Sequence, residues 1–323
     1  MPETTVLMPT EPREPTPPGN SDPVTTKKSF GRRNAQLATI TALTYVVFLL
    51  LMARIPGGDI GLIAVTTLLS LFFTLLFTVL MARSLTDRKS LAVAALISIA
   101  AIVPSIIIPL LVRMHPEWPI WGPMGPRYKA YRGMLRLVPG EDSLIMVTAA
   151  VSIGVGISRL VKEFKMLLPI AVMLAVVDLY VVFGGGLVTQ AQHGSPVAAH
   201  LMNSLTVQLP TVHPARGVAP MQLAVGFADY LFIGLFFACF AKFKAPAKKT
   251  FLVLFAVLAG YMMVVAFRNI ALPALVPIGV VVIGMHIKRF EYKRDELFAL
   301  LYAGIIVGVI GTIFYIKSRI GAK

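Results

Sequence analysis

Cysteine is almost absent from the chain: Cys239 is the single one in 323 residues. One cysteine excludes a disulfide framework and a cysteine-based metal site. Charge is also scarce, at 14% of residues, against roughly a quarter in an ordinary soluble domain. Acid is the scarcer sign, with 15 Asp and Glu against 30 Lys and Arg and a net charge of +15. What fills the chain instead is apolar: 57% of residues are hydrophobic and the mean hydropathy is +0.79. That composition excludes an ordinary cytosolic enzyme. So basic a balance in a soluble chain would point to nucleic acid, but here the basic residues sit between apolar runs, where membrane loops carry them, and no nucleic-acid partner is expected.

The apolar runs are about 18 to 23 residues long, enough for a helix to cross a hydrocarbon core of roughly 30 Å. The expected fold is therefore all-α: a polytopic transmembrane bundle in the lipid bilayer. Its spans, about nine, fall near residues 35–53, 60–82, 91–113, 143–161, 166–188, 219–241, 250–267, 270–287 and 297–316. Residues 1–34 are rich in Pro, Thr and Glu and have too little apolar surface to offset their ordering entropy, so they are expected to form a disordered tail. The first apolar run begins only at Ala35, too late for a signal peptide, which makes that run an uncleaved anchor. The connection 114–142, with Trp118, Trp121, Tyr128 and Tyr131 among prolines and arginines, reads as a segment lying at the headgroup level.

Loop charge sets orientation, because Lys and Arg translocate poorly. With the N-terminus inside, the inner connections carry Arg83, Arg88 and Lys89; Arg159, Lys162 and Lys165; Lys242, Lys244, Lys248 and Lys249; and Lys288, Arg289, Lys293 and Arg294. Arg54, Arg216 and Arg268 stand alone in the intervening outer loops. The segment 114–142 and the C-terminal Lys317, Arg319 and Lys323 go against the pattern. A multi-pass protein of a prokaryotic cell membrane with a cytoplasmic N-terminus is the expectation.

Thirteen of the fifteen acids lie in the tail, in loops or at span ends; Asp178 and Asp229 lie inside spans. A carboxylate at the bilayer centre costs at least about 2.5 to 3.5 kcal/mol, so such groups turn to the bundle interior and find a partner. No Lys or Arg lies deep in a span to serve as one. Each acid can pair with the other if one is protonated, which is an aspartyl dyad. With ten residues between each acid and the outer end of its span, both are expected about 15 Å deep, face to face on antiparallel neighbours. Taken alone, the two acids fit a protease, a proton or cation carrier, or isolated protonated acids bonded to backbone carbonyls.

Asp178 stands in Ala-Val-Val-Asp-Leu-Tyr, Asp229 ends Gly226-Phe227-Ala228-Asp229, and Leu272-Pro273-Ala274-Leu275 opens a later span. In these residues the sequence resembles the presenilin and signal peptide peptidase family of intramembrane aspartyl proteases. That family carries a YD motif in one span, GxGD in the next and PAL near the start of a span further on. The resemblance covers roughly residues 166–288. Val177 stands where the family has Tyr, and Ala228 where it has its second Gly. It implies a presenilin-like catalytic core, with Asp178 and Asp229 catalytic and Gly226, Phe227, Ala228, Leu272, Pro273, Ala274 and Leu275 lining the cleft. The implied activity is hydrolysis of peptide bonds within transmembrane segments of membrane proteins, with no metal or cofactor; a proton-coupled transporter using the same acids is the alternative. The organisation is then a tail (1–34), a four-span region (35–165), the core (166–288) and an extra span with its tail (289–323). The span count places the core in the orientation of signal peptide peptidase, for substrates with their N-termini inside.

Other features have simpler explanations. His193, His200 and His213 share one outer loop, but their spacings fit no helical metal site and no Cys or carboxylate joins them. Gly184, Gly185 and Gly186 suit a hinge or a chain exit, and Gly304, Gly308 and Gly311 form a small-residue packing face. Pro273 and Pro277 each remove a helical donor, which suits a cleft wall and equally a helix start.

Overall fold

The computed structural model describes residues 23–52, 54–55, 58–85, 92, 95–96, 98–100, 102–103, 141–183, 205–209, 224–268, 272–290 and 292. These form α1 (Pro23–Met52), α2 (Ile60–Ser84), α3 (Glu141–Ser158), α4 (Leu167–Phe183), β1 (Thr206–Gln208), β2 (Ala224–Gly226), α5 (Phe227–Lys242), α6 (Ala247–Arg268) and α7 (Leu275–His286). Short 3-10 turns at Phe164–Met166 and Ile287–Arg289 lead into α4 and out of α7. Among the described residues, four stretches are long and apolar enough to cross a membrane: Arg33–Met52, Ile60–Ser84, Phe164–Val182 and Ala247–Val265. The chain is a helical membrane protein. The expected span 297–316, most of 91–113, and 114–140 of the headgroup segment lie outside the described residues.

Three boundaries differ from those expected. Helix α1 begins at Pro23, within the segment 1–34 taken as a tail. Proline suits a first helical turn, where its missing N–H is not needed, and apolar content does not limit where a helix starts. Helix α5 begins at Phe227 rather than near 219, and the three residues before it are strand. Helix α7 begins at Leu275 rather than 270, because Pro277 has no N–H with which to close a turn back onto Pro273. Sixteen residues in α5 and twelve in α7 reach only about 24 and 18 Å as helix.

The centre of the bundle is the crossing of α3 and α5. A Cβ at Gly154 would lie 2.1 Å from the Leu231 carbonyl oxygen, and one at Gly234 would lie 3.0 Å from the Val151 Cα. Only glycine permits so close an approach, and close approach is what drives helix association in lipid, where apolar burial gives little. Helix α2 lies against both, and it carries a line of buried Thr66, Ser70, Thr74 and Thr78 at a spacing of four residues. Thr74 and Thr78 return their hydroxyls to carbonyls of their own helix, at 2.8 to 3.1 Å, and the Tyr230 hydroxyl of α5 donates to Thr74 Oγ1 at 3.0 Å. Helix α1 rests on α2 through Tyr45, Phe48 and Phe73.

The ends of the bundle differ in chemistry. At one, Lys242 Nζ donates to the Val161 carbonyl at 2.6 Å, the Phe164 ring stacks on Phe290 and meets Phe243 edge-on, and the Tyr292 hydroxyl donates to the Lys165 carbonyl. The basic connections after α3, α5 and α7 thus gather at a common end, as alternating spans require. At the other end Ser143 Oγ donates to the Gln208 carbonyl of β1, which pairs antiparallel with β2, Val207 opposite Val225.

Candidate active site

Asp178 lies 11 residues beyond the start of α4, Asp229 lies 13 residues before the end of α5, and Leu275 lies 11 residues before the end of α7. At 1.5 Å per residue all three stand about 17 to 20 Å from the basic end, at one level of the bundle.

Asp229 is not a mid-helix residue. It occupies the third position of α5, and its Oδ2 accepts the Gly226 N–H at 3.0 Å, which satisfies a donor that the helix start leaves over. Gly226 is small for a reason: a Cβ there would stand 3.1 Å from that oxygen. The Phe227 N–H donates to the Leu205 carbonyl at 2.8 Å, which ties the strand end to the helix start. Phe227 is half-buried against the core and Ala228 is exposed. Asp229 itself is 8% exposed.

Asp178 is half-buried on α4, and it too meets a helix N-terminus, though another helix's. The Leu275 N–H, a first-turn donor of α7 with no carbonyl behind it, donates to Asp178 Oδ2 at 2.8 Å. Positive character at the start of α7 favours that carboxylate. Leu272, Pro273 and Ala274 precede α7 as non-helical backbone, Pro273 buried and the other two half-buried. The contact joins residues 97 apart in sequence. Val177 is 46% exposed, so the hydroxyl of a tyrosine there would face outward and its loss leaves no buried gap.

The two aspartates lie within electrostatic range of each other, and the Tyr261 hydroxyl on α6 lies within that range of both. Helix α4 packs on α7, with the Ala171 carbonyl 3.3 Å from where a Gly279 Cβ would be, and α7 in turn touches α5 and α6. Helix α7, which the PAL residues open, is therefore a neighbour of both aspartate helices.

Tyr261 was not apparent in the sequence. Its hydroxyl donates to the Pro273 carbonyl at 2.7 Å, and nothing in Gly260-Tyr261-Met262 foretells that bond. The line of Thr and Ser on α2 was legible in principle from its four-residue period. Among the described residues no group of three or more His, Cys, Asp or Glu could hold a metal ion. His193, His200 and His213, the glycines 184–186 and Gly304, Gly308 and Gly311 lie outside the described residues. No protein-family model, curated protein or solved structure matches the chain.

Proposed function

We propose that the chain is an intramembrane aspartyl protease of the presenilin and signal peptide peptidase type, built on about nine spans, that hydrolyses peptide bonds within transmembrane segments of other membrane proteins. The observation that carries this reading is the 2.8 Å bond from the Leu275 amide to Asp178, with Asp229 in electrostatic range. It joins the first and third elements of the resemblance at a level the second also occupies. A pair of acids scattered through a bundle for packing alone has no need of that convergence.

The chemistry divides between the two carboxyls. One, ionised, takes a proton from a water molecule as the water oxygen attacks the scissile carbonyl carbon; the other, protonated, donates to the carbonyl oxygen. The resulting gem-diol collapses as the first carboxyl passes its newly gained proton to the departing amide nitrogen and the second, now ionised, takes a proton back from a gem-diol hydroxyl, leaving amine and carboxylic acid. The pair titrates as a unit, so the roles belong to the dyad rather than to a fixed member. A helical substrate hides its carbonyls in its own hydrogen bonds and must unwind at the cut. The extended backbone of β2, which leads into Asp229, and the irregular backbone of Leu272 and Pro273 offer groups with which such an unwound segment could pair.

The test is cleavage of a transmembrane peptide by the full chain in detergent. Wild type should cut, and Asp178→Asn and Asp229→Asn should each lower the rate at least about a thousandfold while the protein stays folded, since the amide keeps the volume and removes the proton chemistry. Retained cleavage in either variant ends the assignment; proton-linked flux in liposomes without cleavage would favour a carrier using the same acids.

Orientation belongs to the same proposal. With the N-terminus and the 242–249 connection inside, α4 runs outward, α5 returns, and substrates present their N-termini inside. Accessibility tags at residue 1 and beside Gly194 should report opposite faces, residue 1 inside. A Gly194 tag on the inner face reverses the direction and leaves the chemistry as it is.

A further inference from the structure

Just before α7 stands a carbonyl that the helix cannot satisfy. Pro273 precedes α7, and the residue four further on, whose N–H could extend the helical ladder back to its oxygen, is Pro277, which has none. Pro273 is buried, so water is a poor substitute, and an unpaired buried carbonyl costs about 1 to 3 kcal/mol. Tyr261, one helix away, fills the vacancy with its hydroxyl at 2.7 Å. Two residues further on, the Leu275 N–H reaches Asp178 Oδ2 at 2.8 Å.

The two bonds form a chain. Tyr261 fixes the Pro273 carbonyl, Pro273 and Ala274 fix where α7 starts, and that start aims the Leu275 N–H at the carboxylate. The adjoining bond within the helix is slack, with the Ile278 N–H 3.4 Å from the Ala274 carbonyl. The first turn of α7 is therefore not held by its own ladder alone. Nor does α4 bring Asp178 to the site unaided, because its neighbour along its length is α7.

We infer that Tyr261 is a positioning residue: by holding the Pro273 carbonyl it sets the segment 272–274 so that the Leu275 amide fixes Asp178 opposite Asp229. The consequence for cleavage rests on the protease reading; the consequence for the Leu275 amide does not. Tyr261 touches neither carboxylate through any bond described, so it acts through Pro273 and Leu275 and is not itself catalytic.

The experiment measures amide hydrogen exchange at Leu275 and peptide cleavage in the same full-length preparations. Tyr261→Phe keeps the ring and removes the hydroxyl. Leu275 exchange should rise at least tenfold, and kcat should fall about ten- to a hundredfold with KM within twofold, because substrate binding is kept while the dyad is misaligned. Tyr230→Phe is the control, since it removes a more deeply buried hydroxyl whose partner is Thr74, and Leu275 exchange should stay at the wild-type rate. Unchanged Leu275 exchange in Tyr261→Phe, or an equal rise in Tyr230→Phe, overturns the inference. A wild-type chain that does not cleave removes the protease reading alone, and the exchange result still decides the role of Tyr261. Should Tyr261→Phe fail to fold, the infrared stretch of an isotopically labelled Pro273 carbonyl in wild type decides instead: a lowered, hydroxyl-bonded frequency supports the inference and a free-carbonyl frequency overturns it.

Discussion

The two aspartates are held in different ways. Asp229 starts α5, which crosses α3 so closely that a methyl group at Gly154 would strike the Leu231 backbone. Asp178 sits on α4, only 11% of whose span is buried, against 44% for α2. Val172, Met173, Val177 and Leu179 on α4 are all exposed. In water such a face would drive α4 onto the bundle. In lipid it costs nothing to leave it facing acyl chains, so the place of α4 is set by a few specific contacts with α7. One carboxyl belongs to a fixed wall, and the other to a helix whose seat depends on the Gly279 contact and the Leu275 amide. Under the proposed function, in which the site admits a substrate helix, that asymmetry puts the freedom to move on the Asp178 side.

Substitutions at glycine test this contrast directly, and thermal unfolding in detergent measures it. Gly154→Ala should have the largest effect, about 3 kcal/mol or more, because its Cβ would meet backbone at 2.1 Å and backbone cannot step aside. Gly279→Ala should cost about 1 kcal/mol, since 3.3 Å to the Ala171 carbonyl is tight but α4 can shift by a few tenths of an ångström. Gly156→Ala should be neutral or stabilising by up to about 1 kcal/mol, as nothing lies within 4 Å and alanine is the better helix former. If Gly279→Ala proves as damaging as Gly154→Ala, the α4 and α7 pair is as rigid as the centre and the contrast fails.

How much of this was legible depended on what each signal measures. The spans expected at 60–82 and 250–267 correspond to helices Ile60–Ser84 and Ala247–Arg268, because long uninterrupted apolar runs leave little choice of structure in a membrane. The starts of α5 and α7 were placed too early. Ala224-Val225-Gly226 and Leu272-Pro273-Ala274 are as apolar as the helices they precede, and hydropathy records composition without recording which backbone groups are bonded. That error mattered, since Asp229 opens its helix instead of sitting midway along it, while Asp178, inside the span Phe164–Val182, meets the start of another helix. Charge alternation correctly anticipated that the connections after α3, α5 and α7 share an end. The glycine crossing at Gly154 left a weak trace, one small residue among several in Ser152-Ile153-Gly154-Val155-Gly156. Tyr261 left none, because its partner is defined by a missing N–H at Pro277 and by a fold that brings α6 beside it.

The central claim is that Asp178 and Asp229 act as one unit, and binding of a hydroxyl-bearing, uncleavable mimic of the tetrahedral intermediate tests it most directly. A dyad sharing a proton grips that hydroxyl between its two carboxyls, so a mimic should bind wild type at least a hundredfold more tightly than the matching substrate peptide. Asp178→Asn, Asp229→Asn and the double variant should each lose that advantage to a similar extent, because either loss breaks the unit. Equal affinity for wild type and the double variant would contradict the claim and leave two separate acids, each satisfied by its own helix start.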